Sequence, residues 1–267
     1  MLTAKEFVAK LEADNEALFK ASEMQVETYF NSNPSTEKLV EHFKGRMVNE
    51  RMNMVAIADK VAKMGNDADP IELQDLSKQA YDEAVHFNMV REVIEHISNK
   101  KVDVAKAIAE EAANPQAKGA TLIEKFEADN DELALALYQF IGEGRAEVVW
   151  NKMADCIEDQ FIATRYAKIG QDEGFHSKIG AKKLAVLCDN AETQARAEEL
   201  AHEIRCDLFK ISASNTTPLS VVIFPLLVPL NLFPFSNISI SVTSKLNCSP
   251  AYAQIECELN KISKINM

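Results

Sequence analysis

Two pentads in the chain share the form D-E-x-x-H: Asp82-Glu83-Ala84-Val85-His86 and Asp172-Glu173-Gly174-Phe175-His176. On a helix, a Glu and a His three residues apart project from one face a turn apart, so both can reach a single cation. Carboxylate oxygen with imidazole nitrogen suits iron or manganese better than a soft metal. E-x-x-H alone is a common pattern, and a third copy stands at Glu199-Leu200-Ala201-His202. The surrounding apolar pattern separates the three. Leu73, Leu76, Ala80, Phe87, Val90, Ile94 and Ile97 form a helical stripe in which Glu83 fills the vacancy between Leu76 and Val90. Ile162, Tyr166, Ile169, Gly180 and Leu187 mark an inward face that also carries Glu173 and His176. Burying such groups alone costs several kcal/mol, so a partner charge or a metal is expected. Around the third copy the stripe is Ala197, Leu200, Ile204 and Leu208, which leaves Glu199 and His202 beside it on a charged, solvated face.

A two-metal site of this kind needs further carboxylates from two other helices. Glu50 supplies one, because it shares a seven-residue phase with Phe43, Ile57 and Met64, flanked by Val40, Met47, Met54 and Val61. Glu143 and Glu147 both lie on the face of Ala136, Phe140, Trp150 and Ala154. Equal depth about the turn near Glu158 favours Glu143 opposite Glu173, with Glu147 as the alternative or an additional ligand. Gly142 and Gly144 beside it allow close packing or a local helix distortion.

These residues need long helices to position them, and the chain supplies them from Thr3 to about Ser212 without strand-like alternation. The first helix runs from about Thr3 to Phe30 and stops before Pro34. The second starts at Ser35 or Thr36 and ends near Met64. Asp69, Pro70 and Glu72 form a capping-box start for a third helix that reaches about Asn99. A short helix covers about Val102 to Ala113. A fourth long helix resumes at Asp129, with Glu132 in capping register, and ends near Asp155. The fifth spans about Asp159 to Leu187, and Asn190 caps a sixth.

Glu50, D-E-A-V-H at 82–86, Glu143 and D-E-G-F-H at 172–176 together resemble the ferritin-like di-iron carboxylate superfamily, over about residues 35–190. Within it the chain is most similar to the phenylacetyl-CoA epoxidase-like oxygenase branch. The resemblance implies an all-α, ferritin-like four-helix bundle with extra N-terminal and C-terminal helices. It also implies two iron ions, with manganese able to share the donors, held by Glu50, Glu83, His86, Glu143, Glu173 and His176. Dioxygen would be the co-substrate, oxidising a small organic molecule with electrons from a reductase or other donor. Asp82 and Asp172 would orient the metal-bound imidazoles across the bundle, and Tyr166 would be a further hydrogen-bond donor near the site. Rival functions are iron oxidation and storage, a rubrerythrin-like peroxidase, and a non-catalytic subunit of an oxygenase complex. A homo-oligomer or a place in a larger complex is expected.

Composition narrows the remaining classes. The 267 residues carry 29 Lys+Arg against 41 Asp+Glu, a net charge of -12, which argues against nucleic acid. Phosphate-loop, nucleophile-elbow and H-E-x-x-H patterns are all missing from the sequence. Cys156, Cys188, Cys206, Cys248 and Cys257 form no C-x-x-C pair. His42 and His96 lack a carboxylate at ligand spacing, and Met47, Met52, Met54 and Met64 read as core filler. The acidic, amphipathic amino terminus lacks a secretory leader pattern, so a cytoplasmic protein without membrane association is expected. Residues 213–267 hold only five charged side chains. Their apolar run is broken by Pro225, Pro229 and Pro234, which argue against a spanning helix. That stretch reads either as a tail packed on the bundle or a partner, or as a segment foreign to the domain.

Overall fold

Cap chemistry sets most of the helix boundaries. The structure is a computed structural model that describes residues 1–114, 125 and 131–214, with side-chain surroundings up to residue 209. Helix α1 (Ala4–Asn31) opens on Thr3, which forms a reciprocal capping box with Glu6. Asn33 takes a left-handed φ of 50° before Pro34, and Ser35 then caps α2 (Thr36–Lys63). Helix α3 (Pro70–Ser98) starts where Asp69 accepts from the Ile71 and Glu72 amides, with Pro70 at the first position that needs no donor. Its end is the left-handed Asn99.

After α4 (Val104–Ala113), the next long helix, α5, has three parts: Glu132–Tyr138, a π-helical turn at Gln139–Glu143, and Gly144–Cys156. Its cap is Asp131, which accepts from the Leu133 and Ala134 amides. The expected restart at Asp129 lies outside the described residues, as do 215–267. Asp159 caps α6 (Gln160–Leu187), and the Asn190 side chain accepts from the Glu192 and Thr193 amides at the start of α7 (Ala191–Ser214). All regular structure among the described residues is helical. None of the described helices is long and apolar enough to cross a membrane.

The order of burial along four helices shows how they run. On α2, Phe43 and Met47 belong to one apolar cluster and Ile57 to another; on α3, Leu76 belongs to the second and Val90, Val93 and Ile94 to the first. On α5 the second cluster takes Leu133 to Ile141 and the first takes Val149, Trp150 and Met153. On α6, Ile162, Tyr166 and Ile169 belong to the first, and Ile179 and Leu184 to the second. The chain therefore runs up α2, down α3, down α5 and up α6. On every one of these helices the change of cluster falls at an acidic residue of the expected set. A polar layer thus divides the core in two.

Helix α2 packs on α3, α5 on α6, and α3 on α6, while α1 lies against α5 and α6 and α7 covers α1 and the first part of α5. Two close approaches hold α5 to α6. A Cβ on Gly180 would fall 2.5 Å from the Ala136 carbonyl and 2.6 Å from the Phe140 amide, so the π turn rests directly on α6. At Gly174 a Cβ would fall 2.6 Å from a Glu147 oxygen. One expected stripe position fails: Leu73 is 39% exposed although Leu76, one turn on, is buried.

Candidate metal centre

The polar layer contains Glu50 from α2, Glu83 and His86 from α3, Glu143 from α5, and Glu173 and His176 from α6, all buried. One donor atom from each of Glu50, Glu83, His86 and Glu173 lies within 4.8 Å of the others, and the same holds for Glu83, Glu143, Glu173 and His176. Metal–oxygen and metal–nitrogen bonds of about 2.1 Å place opposite ligands about 4.2 Å apart, so small movements would close either group on a cation. Glu83 and Glu173 belong to both groups and face both ways. Glu173 Oε1 is 3.5 Å from His86 Nδ1 and its Oε2 is 3.0 Å from His176 Nδ1. Glu83 Oε1 is 3.3 Å from His176 Nδ1 and its Oε2 is 3.9 Å from His86 Nδ1. Glu50 lies beside His86 alone, at 3.4 Å.

The donors fit a hard or borderline divalent cation by a further sign. Glu50 Oε2, both oxygens of Glu83 and His86 Nδ1 are buried without a hydrogen bond. Stranded carboxylate and imidazole atoms of this kind are costly unless something charged stands between them. Two linked groups of buried Glu and His could therefore each hold a metal ion.

Behind the imidazoles the two helices are cross-linked. His86 Nε2 is 3.1 Å from Asp172 Oδ2, and His176 Nε2 is 3.2 Å from Asp82 Oδ2. A carboxylate can only accept, so each Nε2 carries the proton and each Nδ1 faces the acidic layer. Each aspartate is in turn paired with the lysine one turn before it, Lys78 with Asp82 and Lys168 with Asp172.

Electrostatics in the metal-free cluster favour bound protons. Burial, with the neighbouring Glu83 and Glu173 charges, raises Glu50 to about 8 despite its contact with His86. Burial and the same neighbours push Glu143 well above the carboxylate range. Burial opposes charge on His86, but its hydrogen bond to Asp172 and the adjacent Glu50 and Glu173 carboxylates win and raise it to about 11. His176 is raised in the same way against its burial by Asp82, Glu173 and Glu83. Burial works against ionising Asp172 too, yet His86 and Lys168 bring it down to about 2. A divalent cation would replace several of these protons.

Glu147 stands apart from both donor groups. It is half-buried against Gly174, and burial raises its pKa. The π turn explains the choice between the two acids, since its wider loop adds a residue and holds Glu143 inward at 3% exposure. Tyr166 is fully buried between Phe43 and Trp150, with ring centroids at 5.4 and 4.9 Å. Its hydroxyl has no hydrogen-bond partner, so the structure does not link it to the cluster. Glu199 and His202 are exposed. His42 stacks on Tyr29, and His96 pairs with Asp159 at 2.8 Å.

Two buried glutamines, Gln79 and Gln139, join the layer without belonging to either pentad. Gln79 donates to Glu143 Oε1 at 3.3 Å, and Gln139 donates to Gln79 Oε1 at 2.8 Å. The available signal was a polar residue four positions before Glu83 on the same face. Lys78 and Lys168 likewise lie outside the pentads, each four residues before the aspartate of one of them.

No protein-family model, curated protein or solved structure matches the chain.

Proposed function

We propose that the chain is a ferritin-like bundle holding two iron ions at one buried site, and that it is a dioxygen-dependent oxidoreductase acting on a small organic substrate. Manganese is the alternative metal for the same donors. The observation that carries this reading is the doubled donor set, in which Glu83 and Glu173 face both imidazoles while Glu50 and Glu143 close the two ends. The up-down-down-up course of α2, α3, α5 and α6, with one Glu and one E-x-x-H from each half, supports the ferritin-like assignment.

Bound there, ferrous iron would supply electrons to dioxygen, and repeated turnover would draw on an external electron donor. The chain contributes the surroundings. Asp172 and Asp82 hold the Nε2 protons of His86 and His176, which leaves each Nδ1 lone pair for a metal. The Gln139–Gln79 amides fix the orientation of Glu143. The apolar clusters above and below the layer keep bulk water from it.

The test is oxygen uptake by anaerobically iron-loaded protein, with a reductant and a panel of small organic compounds. Uptake coupled to an oxidised organic product, with iron fixed near two per chain, is expected. Iron accumulating far beyond two per chain without an organic product would contradict the proposal and favour storage.

A further inference from the structure

The symmetry of the two pentads extends one helical turn beyond their acids. Both copies read K-x-x-x-D-E-x-x-H, with Lys78 before Asp82 and Lys168 before Asp172. Lysine four residues from aspartate on an exposed face is an ordinary pair of small worth. Here the partners differ in exposure: the lysine side chains are about half exposed, at 46% and 47%, whereas the aspartates they hold are 9% and 8% exposed. Each aspartate also accepts from a fully buried imidazole on the other helix. Lys78 is fixed further by the Phe175 ring, 4.4 Å away, which belongs to the opposite pentad next to His176. Lys168 lines a cleft of about 550 Å³ between α3 and α6 together with Val85, a neighbour of His86.

We propose that Lys78 and Lys168 are positioning residues for the imidazoles of the opposite helix, Lys168 acting through Asp172 on His86 and Lys78 acting through Asp82 on His176. The proposal rests on the two-metal reading for its purpose, but its geometry is a property of the metal-free chain. An aspartate accepting from imidazole alone can rotate about its own side chain. A lysine anchored on the same helix fixes its carboxylate, and thereby the ring it bonds. Since the wiring is crossed, each lysine governs the histidine of the other helix and not the one eight residues along its own.

The crossing gives a test that separates this role from simple helix stabilisation. In the metal-free full chain with nitrogen-labelled histidine, Lys168→Met shifts the imidazole signals of His86 and spares those of His176, while Lys78→Met does the reverse. Arg at either position restores the wild-type signals. In cobalt(II) titrations, Lys168→Met weakens binding about tenfold. That effect persists in a His176→Ala background and disappears in a His86→Ala background. The proposal is overturned if either lysine perturbs both histidines equally, perturbs only the histidine of its own helix, or leaves both unchanged. A wild-type chain that binds no cobalt or iron would contradict the two-metal reading, and the imidazole signals of the metal-free chain would still decide the crossed wiring.

Discussion

At the scale of single residues, the cluster pairs groups whose ionisation in a closed core is costly with groups that hold them in place. Glu50 is raised from an ordinary 4.5 to about 8, so between those values the folded chain binds more protons than the unfolded one. Stability of the metal-free protein therefore falls as pH rises through that window. His86, raised from 6.5 to about 11, acts with the same sign over its own window. Asp172, depressed from 3.8 to about 2, acts oppositely, and its contribution is lost as pH falls through that range. Metal-free protein should be most stable near pH 4–5 and lose roughly 5 °C in Tm by pH 8, whereas the metal-loaded form should change little. Thermal scans with and without chelator check this, and equal pH profiles for the two forms would contradict it. Glu143→Gln makes a paired prediction. It should stabilise the chelated protein at pH 8 by about 1–2 kcal/mol in urea titrations while weakening cation binding, because it removes both the cost of keeping a buried acid protonated at that pH and a metal donor. Loss of stability in chelator would show instead that the Gln79 bond to this carboxylate outweighs the cost of burying it.

At the scale of elements, the caps and the core-slot acids are legible in the sequence because both are local. Asp69 before Pro70, Asp159 before α6 and Asn190 before α7 are readable from side chains that accept from amides two or three residues on. Glu50 and Glu83 are readable from vacancies in a periodic apolar stripe. The π turn at Gln139–Glu143 is only hinted at by Gly142 and Gly144, because its other half, the fit of Gly180 against Ala136 and Phe140, lies on a different helix. Leu73 misleads for a similar reason, since periodicity marks a face and not how fully the neighbouring helices cover each position on it. Gln79 and Gln139 show the same limit: a lone polar residue on an apolar face acquires meaning only when its partner helix is placed. The contact at Gly180 gives the prediction at this scale. Gly180→Ala places a methyl group against two backbone atoms that cannot swing away, so it should destabilise the protein by about 2–3 kcal/mol in chemical denaturation. A neutral substitution would mean that α5 and α6 are not held together there.

At the scale of the whole molecule, the described chain is two apolar cores separated by one acidic layer, braced by α1 and α7 on the α5–α6 side. A cation bound in that layer ties the four central helices together and acts on the folded state by mass action. Metal loading should accordingly slow amide exchange most in the middle turns of α2, α3, α5 and α6, around residues 50, 83, 143 and 173, with smaller effects in α1 and α7. Protection spread evenly over the chain would point to a general stabilisation without a central site. The most direct test of the account is the metal content of protein purified under iron-replete conditions, compared for wild type, Glu83→Ala and Glu199→Ala. About two irons per chain are expected, lost in Glu83→Ala and retained in Glu199→Ala. Absence of metal from the wild type under iron and manganese loading, or equal content in both variants, would contradict it.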